Sequence, residues 1–183
     1  MITRRKTLYS LGRHRNSLRT GNASPISRVT ASHCSNRDCA FWGQKPGLLF
    51  QLPPQFVANR DRLAGFLRLL KAGRRYAFEF RHPSCYEPTI LDLLRTRDIS
   101  LCLSDHHDAP APWEVTVSFV YVRVHGPRGT YKDHYSNKTL RDWARKIVAW
   151  KHGRRDVYVY FDNDQKSAAP MDARRLMTLV DHR

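Results

Sequence analysis

No stretch of this chain approaches the ~20 consecutive apolar residues that a membrane-spanning helix needs, which argues against an integral helical membrane protein. The start, MITRRKTLYSLGRHR, has charge but no apolar core, so it does not read as a secretory signal. Its Arg/Ser-rich, acid-poor character resembles a transit peptide in composition alone. A reducing, cytoplasmic setting is the default expectation. Cysteine is scarce: Cys34, Cys39, Cys85 and Cys102 show no framework spacing, which excludes a disulfide-built scaffold. Cys34 and Cys39 lie near His33, but no second ligand pair follows, so loop thiols are a better reading than a zinc clip. Cys102 lies inside an apolar run and reads as a small core residue.

Acids are also few. Against 32 Lys and Arg stand 16 Asp and Glu, a formal charge of +16 with pI ≈ 10.3. Such an excess favours nucleic acid, phosphate or another anion as partner. It is unevenly spread: residues 1–43 hold eight basic residues and one acid, Asp38, while the remainder holds 24 and 15. A basic leading segment therefore inflates the total.

At 183 residues and 41% hydrophobic, the chain suffices for one domain with a real core. Residues 1–44 have neither a helical nor a strand period and are expected to be an irregular, disordered basic segment. Residues 45–183 have a different texture. Five apolar runs, LLFQLPP (48–54), YAFEFRHP (76–83), SLCLSD (100–105), FVYVRVHG (119–126) and DVYVYFDND (156–164), each end in polar side chains. Helical patterns separate most of them. One is capped at Asn59, carries Leu63, Phe66, Leu67 and Leu70 on a single stripe and stops at Gly73; others start near Pro88, at Ser136 and near Pro170. The Pro-rich stretch DAPAPW (108–113) replaces the helix between the third and fourth runs. Strands alternating with helices predict an α/β fold with parallel pairing and a site at the C-terminal strand ends. Five strands are too few to close a barrel.

Strand parity sorts the side chains of these runs. The bulky Tyr76, Phe78 and Phe80 suit the helix layer, which turns Glu79 and Arg81 inward. Val120, Val122 and Val124 leave Tyr121, Arg123 and His125 inside; Val157, Val159 and Phe161 leave Tyr158, Tyr160 and Asp162. Gln51 ends the first strand, and Asn163 and Asp164 lie at the rim of the last. Converging charges of this kind are costly unless paired, so a Glu79–Arg81/Arg123 ion network filling the interior is one reading. The functional reading gives Arg81 and Arg123 a phosphate or carboxylate to hold through their planar forks. Glu79 or His125 then serves as general acid or base. Gln51, His82, Asp105, Asn163 and Asp164 complete the predicted substrate-binding set; His82, before Pro83, has loop shaping as its competing role. Asp105, Asn163 and Asp164 offer oxygen ligands to a divalent cation, but no spacing carries a ligand signature, and neither metal nor cofactor is expected.

The stretches LLFQLPP, AFEFRHPSCY, SLCLSD, FVYVRVHGP with YKDHYSNKTLRDWA, and DVYVYFDNDQKSAAPMDA, in that order, resemble the YecE-like family, the domain of unknown function 72. The resemblance implies a partial (β/α)8 TIM-type barrel holding about the last five strands of eight. A whole barrel takes about 250 residues; the first three strands have no counterpart in residues 1–43, so a shortened, inactive member is expected. Cys85 stands where the family usually has Trp, and Asp162 where Asn is common. Asp105-His106-His107 also resembles an Asp-His-His phosphoesterase signature, but the further aspartate motifs of those enzymes are missing upstream.

Whether the chain is an enzyme stays open. The parent fold implies action on an anionic or phosphate-bearing substrate. The alternative is a non-catalytic nucleic-acid-binding protein, drawing on the basic segment and on Arg141, Arg145, Lys146, Lys151, Arg154 and Arg155 around one helix, whose ordinary explanation is a solvated face. Trp143 and Trp150 keep core spacing, whereas Trp113 is free to line a pocket. Exposed sheet edges invite a complementing chain or self-association.

Overall fold

A computed structural model describes residues 7–11, 30–32 and 48–182. Seven strands form one sheet: β1 (Thr7–Leu11), β2 (Thr30–Ser32), β3 (Leu48–Gln51), β4 (Tyr76–Glu79), β5 (Ile99–Ser104), β6 (Phe119–Val124) and β7 (Asp156–Phe161), in the spatial order β1-β7-β6-β5-β4-β3-β2. Neighbours from β3 to β7 are all parallel. These five strands curl into a half-barrel with helices between them. Two short pieces of the leading segment, β1 and β2, lie among the described residues, and both join the sheet. β1 pairs in parallel with β7, and β2 pairs antiparallel with β3. The edges of the five-strand set are thereby hydrogen-bonded. Cys34 and Cys39 lie outside the described residues.

The helices follow their capping signals. α1 (Arg60–Leu67) starts where the Asn59 side chain accepts from the Arg62 amide. It ends at Leu67, short of the expected stop at Gly73: after Leu67 the chain tightens through Leu69 N–H to Phe66 O and Leu70 N–H to Leu67 O, and Gly73 adopts φ +74°. Leu70 still packs against the core from this turn. α2 (Pro88–Thr96) opens on its proline, and α3 (Asn137–His152) is capped by the Ser136 hydroxyl on the Thr139 amide. α4 (Ala168–Asp181) follows a short 3-10 turn. The Pro-rich segment after β5 is not helical.

Parity holds in every long strand. Tyr76, Phe78, Phe80, Val120, Val122, Val124, Val157, Val159 and Phe161 join the large core under the helices, while Ala77, Cys102, Tyr121 and Tyr158 form a smaller cluster on the concave side. At the centre of the larger core, Phe78 is fully buried, with ring centroids 5.2 Å from Phe50, 6.0 Å from Phe66 and 6.3 Å from Phe80. Trp113 does not line a concave pocket: it packs on the outside of α3, its ring 4.4 Å from Trp143 and 6.1 Å from Trp150. No helix among the described residues is long and apolar enough to cross a membrane.

Truncating Phe78→Ala is expected to cost about 3–5 kcal/mol of unfolding free energy. A urea titration of the variant should show an earlier midpoint at similar slope. An unchanged midpoint would contradict this placement of the core.

Candidate functional site

Parallel register assembles the candidate groups at one end of the sheet. Gln51 lies opposite Glu79, and Ser104 opposite Arg123. The strands then run out in Arg81, His125 and Asp162, so seven inward side chains from five strands meet at the C-terminal rim.

Glu79, fully buried, is the hub. Its Oε1 accepts from Arg81 Nη2 at 2.6 Å and from the Ser104 hydroxyl at 3.2 Å; its Oε2 accepts from Arg123 Nη1 at 2.8 Å. Arg123 uses its second nitrogen, Nη2, on Asp162 Oδ2 at 2.7 Å and also reaches Gln51 Oε1 from Nη1 at 2.7 Å. Arg81 Nη2 lies 3.4 Å from the same Gln51 oxygen. His125 is fully buried. Arg81 Nη2 donates to its Nε2 at 3.1 Å, which makes Nε2 the acceptor; Nδ1 then carries the proton towards Asp105 Oδ1 at 3.3 Å. Asp105 Oδ1 also accepts from the His125 backbone amide at 2.6 Å, and its Oδ2 from the Tyr135 hydroxyl. Gly126, at φ +99°, lets the next loop close over this corner: a Cβ there would lie 2.2 Å from the Lys132 carbonyl.

The electrostatics follow from burial against pairing. Burial alone would raise the Glu79 carboxyl above its ordinary 4.5, but Arg123 and Arg81 outweigh it and the net shift is downward. Burial disfavours the charged Arg123, yet Glu79 and Asp162 hold its guanidinium charged more firmly than usual. The Tyr135 hydroxyl is pushed well up by burial and by the adjacent Asp105, so it remains a donor.

Of the residues expected to bind substrate, Gln51, Arg81, Asp105 and Arg123 join Glu79 and His125. Three others lie elsewhere. The His82 ring caps the 3-10 turn Pro83–Tyr86: its Nδ1 accepts from the Ser84 amide at 3.3 Å and lies 2.8 Å from the Ser84 hydroxyl, which in turn accepts from the Ala58 amide. Asn163 keeps the outward parity of Phe161 beyond the strand end. Its Nδ2 donates to Asp133 O at 2.8 Å and to Asp172 Oδ2 at 3.0 Å. Asp172, fully buried on α4, also accepts from the Tyr135 amide at 2.9 Å and from Arg175 Nη1 at 2.7 Å. This second network anchors the loop before α3 to the helix layer. Asp164 sits at the turn into α4, where its carbonyl accepts from the Ser167 amide. Ser104 and Asp162 complete the cluster. Parity already turns Asp162 inward, and the same alternation, carried along SLCLSD, places Ser104 there; Tyr135 comes from a loop without periodicity, and no sequence signal marks it.

A family model described as "Protein of unknown function DUF72" matches residues 37–183. Among solved structures, a DUF72 family protein from Thermotoga maritima superposes with TM-score 0.64 at 22% identity, covering 73% of this chain and 56% of that one. Two crystal structures of a DUF72 family protein from Enterococcus faecalis give TM-scores of 0.65 and 0.63 at 19% and 20% identity, each covering 74% of this chain and 58% and 61% of theirs. The chain thus spans less than two thirds of the length of these structures. No curated protein matches.

Glu79→Gln should destabilise the fold by about 3–5 kcal/mol, because it strips buried guanidinium groups of their counter-charge. A carboxyl lowered on folding contributes stability that is present above its unfolded value and lost as pH falls through its folded value. The gap in unfolding free energy between wild type and variant should therefore be full at neutral pH and shrink below the ordinary 4.5. A gap that stayed constant into acid would rule out the ionised hub.

Proposed function

The chain belongs to the DUF72 family, and from that premise we propose that its C-terminal strand ends form one wall of an enzyme site for an anionic substrate, with a phosphate or carboxylate as the recognised group. One observation carries this reading: Arg81 Nε is buried with no hydrogen-bond partner among the described residues. A buried donor left unpaired costs about 1–3 kcal/mol, so an oxygen acceptor is wanted there. Arg123, whose side chain is 17% exposed, provides the second guanidinium.

The cluster sets three carboxylates, Glu79, Asp105 and Asp162, against two guanidinium groups. An anion must therefore replace one carboxylate, and Asp162, as exposed as Arg123 and just past the end of β7, is the one poised to leave. Of the two expected proton carriers, Glu79 stays ionised and fixes the arginines. His125 is the group left to move a proton, at Nε2 once a bound anion draws Arg81 away from it, with Asp105 holding its tautomer.

The test is phosphate binding to the whole chain, measured by calorimetry. Arg123→Lys keeps the charge but loses the fork, and should weaken binding at least about tenfold. Asp162→Asn should strengthen it. Unaltered affinity in both variants, or no phosphate binding at all, refutes the anion site.

A second reading, non-catalytic binding of single-stranded nucleic acid, draws on Trp113. It is 47% exposed, Lys146 Nζ stands 4.3 Å over its ring, and Arg141, Arg145 and Arg154 lie exposed nearby in sequence on or just after α3. This reading requires oligonucleotide binding that weakens with salt and with Trp113→Ala but not with Arg123→Lys. Retention of all binding in Trp113→Ala excludes it.

A further inference from the structure

We propose that the loop following β5 holds a late first-row divalent cation, such as zinc, through His106, His107 and Asp108. This is a site separate from the arginine cluster and independent of the anion reading. Among the described residues these three form the one group of His, Cys, Asp or Glu whose ligand atoms all lie within 4.8 Å of one another. His107 Nε2 stands 2.9 Å from Asp108 Oδ1, and His106 Nδ1 stands 3.6 Å from Asp108 Oδ2. Ligands that share one ion at metal–nitrogen and metal–oxygen distances of about 2.0–2.2 Å are separated by roughly 3.0–3.5 Å, so these spacings need little adjustment. Imidazole nitrogens with one carboxylate suit zinc and its neighbours better than calcium or magnesium.

A second observation concerns the far side of the ring. His107 Nδ1 lies 3.2 Å from the Gly129 carbonyl, which can only accept. That contact puts a proton on Nδ1, so the neutral ring presents its Nε2 lone pair to the Asp108 carboxylate, two acceptors that a shared cation would satisfy together. Anchoring of the outer ring nitrogen on a backbone carbonyl is the usual support of a metal-ligating histidine. Gly129 is itself built for this approach. It adopts φ +67°, and a Cβ there would lie 2.4 Å from both the Asp105 carbonyl and the His107 amide. The loop after β6 thus clamps the loop after β5. His106 is buried, with its ring edge-on to His125 at 5.3 Å and to Tyr131 at 5.7 Å, which seats the proposed ion beside the charged cluster. The contact that a metal would displace is a long one, the Asp108 amide to His106 Nδ1 at 3.3 Å.

Calorimetric titration of the full chain with zinc, repeated with cobalt to read its visible bands, tests the assignment. His107 and Asp108 are 51% and 41% exposed, so His107→Ala and Asp108→Asn leave the core intact. The expected result is one equivalent bound, an affinity at least tenfold weaker in each variant, altered cobalt bands in His106→Gln, and unchanged binding in Cys34→Ser/Cys39→Ser. No stoichiometric binding, an affinity indifferent to either loop variant, or binding abolished by the cysteine substitutions overturns the proposal. Repeating the phosphate titration under a chelator separates this outcome from that of the arginine cluster.

Discussion

The rim of this half-barrel depends on a carboxylate with no exposed surface. Glu79 is fully buried and survives ionised because Arg81 and Arg123 reach it at 2.6 and 2.8 Å. Either arginine unpaired in the same place would be as costly as the carboxylate alone. The three groups therefore fix one another, and everything around them is placed by that mutual demand. Arg123 is held in the direction of Asp162, Arg81 is laid against the His125 ring, and Gln51 Oε1 gives Arg123 Nη1 a second acceptor. An interior of this kind stabilises little by itself, but it strongly penalises any alternative arrangement of the strand ends.

His125 shows how such a framework fixes a titratable ring. A histidine packed between a guanidinium and the Asp105 carboxylate has one proton position and one lone-pair position, both fixed by its neighbours. Asp105 in turn is steadied by the Tyr135 hydroxyl, and Tyr135 by Asp172 through its backbone amide. The chain of contacts thus runs from helix α4, through a loop, to the ring at the strand end. The charged cluster at the rim and the anchoring of the helix layer are parts of one hydrogen-bonded system.

Much of this was legible in the residues. Alternation of bulky and polar side chains in YAFEFRH and FVYVRVH determines which groups face inward, and the structure keeps that parity throughout. Order and orientation of the five strands follow from their alternation with helices. Elsewhere local signals were weaker than tertiary ones. Asn163 stands at the rim by sequence position, but it keeps strand parity and turns to Asp172. His82 before Pro83 suits the site or the loop by sequence alone, and it caps the turn that begins at Pro83. Thr7–Leu11 and Thr30–Ser32 have no amphipathic period; their pairing is dictated by the open edges of β7 and β3, which sequence periodicity does not encode.

The central claim is that Glu79 and Arg123 act as one energetic unit. A double-mutant cycle on unfolding free energy, combining Glu79→Gln with Arg123→Met, measures that directly. The account predicts a coupling of about 2–3 kcal/mol between the two substitutions. Strict additivity, with the double variant losing the sum of the two single losses, would contradict it.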